Sequence, residues 1–217
     1  MQTIVVNSQK GGSGKTMLCK HLAVEAERTG AHTFLIDTDP QGTLTAWHAK
    51  REAELPALVD LPFEAMEAGL ALLAKNGAAY CIIDSGSGRL DKAEELFRLA
   101  DLVVFPVQPS EDDLTAVPVT AGLLKKHGTP FLFVLNRVKP NTLITGQAAA
   151  ILSKHGQVAE TFVTDRTPYK SPFRGGQLVT EAAPKGPEAR EITHLWEDIT
   201  ACLHESMPTT EETRQHG

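Results

Sequence analysis

The chain has 217 residues, of which 41% are hydrophobic and 22% charged; this suits one sizeable domain with a buried core and leaves little room for two. No apolar run approaches the roughly 20 residues that span a bilayer, and Met1-Gln2-Thr3 opens no basic-then-apolar leader, so neither a membrane span nor a signal peptide is expected. The net charge of −6 argues against indiscriminate nucleic-acid binding, and three scattered cysteines (Cys19, Cys81 and Cys202) without a CxxC pair suit reduced thiols in a cytoplasmic protein.

Apolar runs bounded by turn residues alternate with amphipathic stretches. In chain order the pattern predicts a strand over 3–7, a helix over 14–29 stopped by Gly30, a strand over 33–37, a helix over 43–51 and a short strand over 58–61. Next come a helix over 62–75 opened by Pro62, a strand over 80–84, a helix over 91–99, a strand over 102–106 and a helix over 114–127 closed by Gly128. A strand over 131–136, a helix over 143–155, a last short strand over 158–163 and a helix over 189–205 complete the list. The strands are rich in Val, Ile, Leu and Phe without polar alternation, as in sheets covered on both faces. The expected fold is therefore α/β, a doubly wound and mostly parallel sheet flanked by helices in one domain over 1–206, with a polar, disordered tail over 207–217.

The first strand runs into Lys10-Gly11-Gly12-Ser13-Gly14-Lys15-Thr16 and then a helix. Glycines there let backbone N–H groups turn onto phosphate oxygens, and the helix dipole adds to the attraction. Lys15 would neutralise the β- and γ-phosphates of ATP, and the Thr16 hydroxyl would bind Mg²⁺. The common P-loop pattern needs a glycine where Gln9 stands. Asp37-Thr38-Asp39-Pro40-Gln41-Gly42 follows the second strand, and Asp84 ends the 80–84 strand before Ser85-Gly86-Ser87-Gly88. A polar group aimed at an in-line water and a strand-end carboxylate near the metal are what phosphoryl transfer requires.

With Lys10 opening the loop, this set resembles the deviant Walker A motif of the ParA/MinD ATPases, and most closely small plasmid-type ParA partition proteins. The resemblance covers roughly residues 1–205. It implies that Lys10 reaches across a homodimer to the partner's ATP, that Asp39 positions the attacking water, and that Thr16, Asp37 and Asp84 lie at the metal. Residues 10–17 would hold the nucleotide, although Met17 replaces the family's second hydroxyl and weakens one phosphate contact. Asn136, at the end of a strand, matches the family's adenine-contacting Asn and equally well a turn cap. The stretch Phe173-x-x-Gly176-x-x-Val179-x-Glu181 resembles the C-terminal part of ParA proteins.

Residues 125–190 hold 10 Lys/Arg against 4 Asp/Glu. The resemblance makes Arg137, Lys139, Arg166, Lys170, Arg174 and Lys185 candidates for a non-specific, nucleotide-gated DNA face; individually each also suits an ordinary surface charge. It also implies a ParB-like adaptor and nucleoid association. The acidic C-terminal helix, with Trp196, Ile199 and Leu203 at helical spacing, suits core packing and not a membrane surface. Two alternatives stay open: a P-loop ligase of the dethiobiotin-synthetase type, and an ATPase that positions a protein compartment.

Overall fold

A computed structural model of the chain describes residues 1–87, 90–140, 142–170 and 173–206. The expected tail over 207–217 lies outside the described residues. Eight strands form the sheet: β1 (Gln2–Val6), β2 (Thr33–Asp37), β3 (Ala57–Leu58), β4 (Tyr80–Asp84), β5 (Leu102–Val107), β6 (Phe131–Val138), β7 (Gln157–Val158) and β8 (Val163–Thr164). Their order is β3-β2-β4-β1-β5-β6-β7, with β8 beside β6, and every described pairing is parallel. Ile4, Val5, Val6, Ile82, Ile83, Val103 and Val104 are fully buried, which explains the unbroken apolar runs.

Helices cover both faces. On one side α1 (Lys15–Arg28), α2 (Thr43–His48), α7 (Thr167–Lys170), α8 (Val179–Ala182) and α9 (Pro187–Ser206) enclose a core that includes Trp47, Trp196, Ile199 and Leu203. On the other lie α3 (Met66–Lys75), α4 (Leu90–Leu99), α5 (Glu111–His127) and α6 (Leu143–Leu152).

Several boundaries differ from the sequence expectation. Helix α5 starts at Glu111 and not at 114, because the Ser110 hydroxyl accepts the Asp113 N–H at 3.3 Å and three acids occupy the positive end of the helix. Apolar periodicity, which begins at Leu114, misses that turn. The expected strand over 158–163 is two two-residue strands that pair with β6 at different places. Helix α2 stops at His48, and the Pro62 helix opens with a 3₁₀ turn before α3. Helices α7 and α8 carry too few residues to show a helical period.

The register matters for the site. Val6, Asp84 and Asp37 stand side by side across β1, β4 and β2 at their carboxyl ends. Ligands in such sheets sit beyond those ends.

Candidate nucleotide-binding site

Beyond the carboxyl ends lies a cleft of about 680 Å³, walled by the Gly11–Met17 loop, Asp39 and Pro40, Asn136 and Arg137, and Tyr169 and Lys170. That volume lies within the range of small-molecule and cofactor pockets. Helix α1 begins at its floor with no side-chain cap and no acid in its first turn. Its first N–H groups therefore face the cleft without intrahelical partners, as an anion site requires. Gly14 holds φ at +99°, and a Cβ on it would overlap the Asn136 amide nitrogen. Two independent constraints thus admit only glycine there.

Lys15 is buried and its ammonium donates to the Ser87 hydroxyl at 2.5 Å. Asp84 is fully buried, and neither carboxylate oxygen has a hydrogen-bond partner among the described residues. Burial pushes its pKa up to about 7; nearby Asp37 and Asp39 push the same way, and the Thr16 hydroxyl and Lys15 oppose them. Asp37 differs. Its Oδ1 accepts the Asp39 N–H at 3.1 Å, and its Oδ2 accepts both the N–H and the hydroxyl of Thr45 at 2.9 Å. Both Asp37 oxygens therefore brace the loop before α2, and Asp84 is the carboxylate left open. Asp39, half-buried, accepts the Gln41 N–H at 3.0 Å with Oδ1 and borders the cleft.

Lys10 stands outside the cleft. Its ammonium lies 2.8 Å from Asp113 Oδ1 and 3.5 Å from Asp112 Oδ2, and these carboxylates raise its pKa. The Asp113 side chain is only 5% exposed, and its other oxygen accepts the Gln108 N–H at 3.0 Å. Gln108 in turn donates to the Gly12 carbonyl at 3.1 Å. The loop after β5 and the first turn of α5 thereby grip the phosphate loop at one point each. Asn136 grips it at a third: its amide donates to the Ser13 carbonyl at 2.7 Å and its oxygen accepts the Arg137 N–H at 2.9 Å. The turn this enforces leaves Arg137 at φ +55°.

A family model for the CobQ/CobB/MinD/ParA nucleotide binding domain matches residues 4–178. The chain belongs to this family. "Protein ParA" of Rhizobium radiobacter is 25% identical over 206 residues, 88% of this chain and 91% of that one. The fold is also that of the MinD cell division protein of Aquifex aeolicus in its MinC:MinD complex, with a TM-score of 0.76, 17% identity and coverage of 97% of this chain and 99% of that one. MinD of Pyrococcus horikoshii, complexed with Mg-ADP, gives 0.75 and 16% with 96% and 99% covered. The protein is accordingly an ATPase of the ParA/MinD group, in the class that serves partition or positioning.

In this ParA/MinD domain the basic candidates do not form one free face. Arg166 is 3.2 Å from Glu188 and 3.8 Å from Glu191, and Lys170 is 2.6 Å from Asp165; both line the nucleotide cleft. Arg137 also borders the cleft, while Lys139, Arg174 and Lys185 are exposed elsewhere. Lys20, on the turn of α1 after the phosphate loop, also borders the cleft and was not singled out from the sequence; burial lowers its pKa. Its position one helical turn beyond Thr16 is the signal that could have found it. Ser87 carries no sequence signal for its role, because its contact with Lys15 spans 72 residues of sequence. Among the described residues, no helix is long and apolar enough to cross a membrane.

Proposed function

We propose that the protein is an Mg²⁺-dependent ATP switch that dimerises over bound ATP and uses the dimer to bind DNA non-specifically, moving a plasmid or other cargo under the control of a ParB-like adaptor. Residues 10–17 wrap the triphosphate, with Lys15 exchanging Ser87 for phosphate oxygens. The buried oxygens of Asp84, which have no hydrogen-bond partner among the described residues, lie beside the Thr16 hydroxyl and fit a hard cation, so Thr16 and Asp84 are the residues that would hold Mg²⁺, with Asp37 shaping the adjoining loop. When bound, the ion neutralises charge on the β- and γ-phosphates. Asp39 orients the attacking water from the cleft wall.

The observation that carries the dimer is the placement of Lys10. Its ammonium is turned out of its own cleft and half exposed, held by Asp113 and Asp112, so it does not serve its own site and would leave these carboxylates to reach a second molecule. For DNA, support comes from the exposed Lys139, Arg174 and Lys185 together with Arg137 at the cleft mouth; Arg166 and Lys170 already have acidic partners and serve the nucleotide side. The Pyrococcus MinD complex with Mg-ADP supports the ligand, and the MinC:MinD complex supports a protein partner as a feature of such ATPases.

The test compares wild type with Lys10→Ala and Asp39→Ala, following mass by light scattering with ADP and ATP, DNA retention in gel shifts, and phosphate release. Lys10→Ala is expected to bind nucleotide yet show no gain in association when ATP replaces ADP. Asp39→Ala is expected to dimerise and hold DNA without turnover. A wild-type gain in association on ATP, together with normal hydrolysis, in Lys10→Ala would sink the trans role, and equal DNA binding in ADP and ATP would sink nucleotide gating.

A further inference from the structure

The outward face of α5 has a symmetry in its sequence. Its exposed residues are Glu111, Asp112, Thr115, Pro118, Val119, Gly122, Lys125 and Lys126. They recur at spacings of three and four, so they form one stripe along the helix. The stripe is self-complementary about the point between Pro118 and Val119. Two such helices packed antiparallel on a two-fold axis there set Glu111 against Lys126, Asp112 against Lys125, Thr115 against Gly122 and Pro118 against Val119. Each cross-pair is either opposite in charge or uncharged, and each occurs twice, as a two-fold contact demands.

The neighbouring helix also exposes apolar side chains. Helix α6 packs beside α5 on the same side of the sheet, over a shared core of Val117, Ala121, Ala148 and Leu152. No charged residue occurs between Lys139 and Lys154. Leu143 is 88% exposed and Val119 58%, with Ile144 and Ile151 also outward. Solvent faces of helices in a monomer normally carry charge, and an uncharged helix with several large apolar side chains exposed suits an interaction surface.

We infer that α5 is the seam of a nucleotide-independent homodimer, in which two copies of this chain pack antiparallel through α5 with α6 at its flank. The occupant is a second copy because of the charge polarity: an acidic first turn and a basic last turn on one stripe repel a parallel mate and attract an antiparallel one. Thr115 and Gly122 are small, so the backbones approach closely. Asp112 stays 84% exposed despite its nearness to Lys10, which leaves it open to the partner's Lys125. The contact differs from the ATP-bound dimer. In antiparallel packing the amino end of α5, where Lys10 sits, meets the carboxyl end of the partner's α5 and lies a helix length from the partner's phosphate loop. A stripe this narrow belongs to the weak, transient class of interfaces.

The experiment uses the full chain without nucleotide, in sedimentation velocity over a concentration series and in cysteine cross-linking. Cys19, Cys81 and Cys202 are buried, so an added surface thiol is selective. Wild type is expected to move from monomer to dimer as concentration rises. Val119→Asp is expected to stay monomeric, because two carboxylates meet at the axis. Glu111→Lys and Lys126→Glu should each weaken association at least tenfold, and the double charge swap should restore it. Val119→Cys should oxidise to a covalent dimer at least tenfold faster than Ala71→Cys on α3. Lys10→Ala should leave this association unchanged, which separates it from the ATP-dependent dimer. A wild type that stays monomeric throughout, a double swap that fails to restore association while melting normally, equal cross-linking at the two cysteines, or loss of association in Lys10→Ala would each overturn the inference.

Discussion

The side-chain amide of Asn136, at the carboxyl end of β6, donates to the backbone carbonyl of Ser13 at 2.7 Å. One residue on from Ser13, Gly14 holds a left-handed backbone, and a Cβ there would overlap the same amide. The phosphate loop is therefore held in shape by a residue 123 positions away in sequence. Asn136→Ala strands a buried carbonyl, which costs about 1–3 kcal/mol. Since about 1.4 kcal/mol is a factor of ten, fluorescent-nucleotide titration should show affinity falling by about tenfold. Gly14→Ala should abolish binding in the same assay, because it meets both the overlap and the left-handed backbone.

Arg51 and Glu181 lock the segment after α2 to the C-terminal part of the chain. Two guanidinium nitrogens meet the two carboxylate oxygens at 2.6 and 2.9 Å, and the guanidinium lies 5.3 Å from the centre of the Trp47 ring. The Arg51 side chain is 3% exposed, so neutralising its partner leaves a buried charge uncompensated. Glu181→Gln should lower stability by about 3 kcal/mol, or roughly 6–12 °C in a thermal melt of a chain this size. Arg51→Lys should fare no better, since an ammonium can neither form the fork nor stack on the indole. An unchanged melting temperature in both variants would remove this lock from the account.

His21 on α1 is buried, its ring edge-on to Tyr169 at 5.4 Å, and neither ring nitrogen has a partner among the described residues. Burial, assisted by the charge of Lys20, depresses its pKa to about 3 from 6.5. The unfolded chain thus binds a proton that the folded chain refuses between those values. Stability from this group is complete above 6.5 and is lost as the pH falls toward 3, at about 1.4 kcal/mol per unit. His21→Leu should remove this rise of melting temperature with pH between 5 and 6.5; the buried Asp84 carboxyl, raised to about 7, gives an opposite slope in the same window to wild type and variant alike, so the difference between the two profiles isolates His21. A slope in the variant equal to that of wild type would refute the assignment.

The architecture was legible because its signals are local. Unbroken apolar strands alternating with amphipathic helices require a covered parallel sheet, and each motif lay at a strand end. The missed start of α5 shows the limit of that reading: its first turn holds Glu111, Asp112 and Asp113 and has no apolar residue, so only the Ser110 cap marks it. Asn136 was legible as either an adenine contact or a turn cap. Its bond to Ser13 belongs to neither reading, because pairing β6 with β5 and β5 with β1 is what brings that strand end to the loop.

By itself the sequence determined the chemistry available: a phosphate loop with Lys15 and Thr16, carboxylates at two strand ends, and an additional lysine at position 10. Tertiary structure decided how those groups divide the work. Asp37 and Asp84 look alike in sequence, each ending an apolar strand. Packing leaves Asp37 bonded to Thr45 and Asp39, and Asp84 buried without a hydrogen-bond partner among the described residues, so the two carboxyl groups take different parts. Lys10 and Lys15, five residues apart, are sent to opposite sides of the loop by partners far along the chain, Asp113 for one and Ser87 for the other. The same holds for Arg166 and Lys170, whose charges were visible in the sequence and whose acidic neighbours emerged only when α7 settled against α9 and the β8 loop. Composition records which charges exist; burial and distance set what each one can reach.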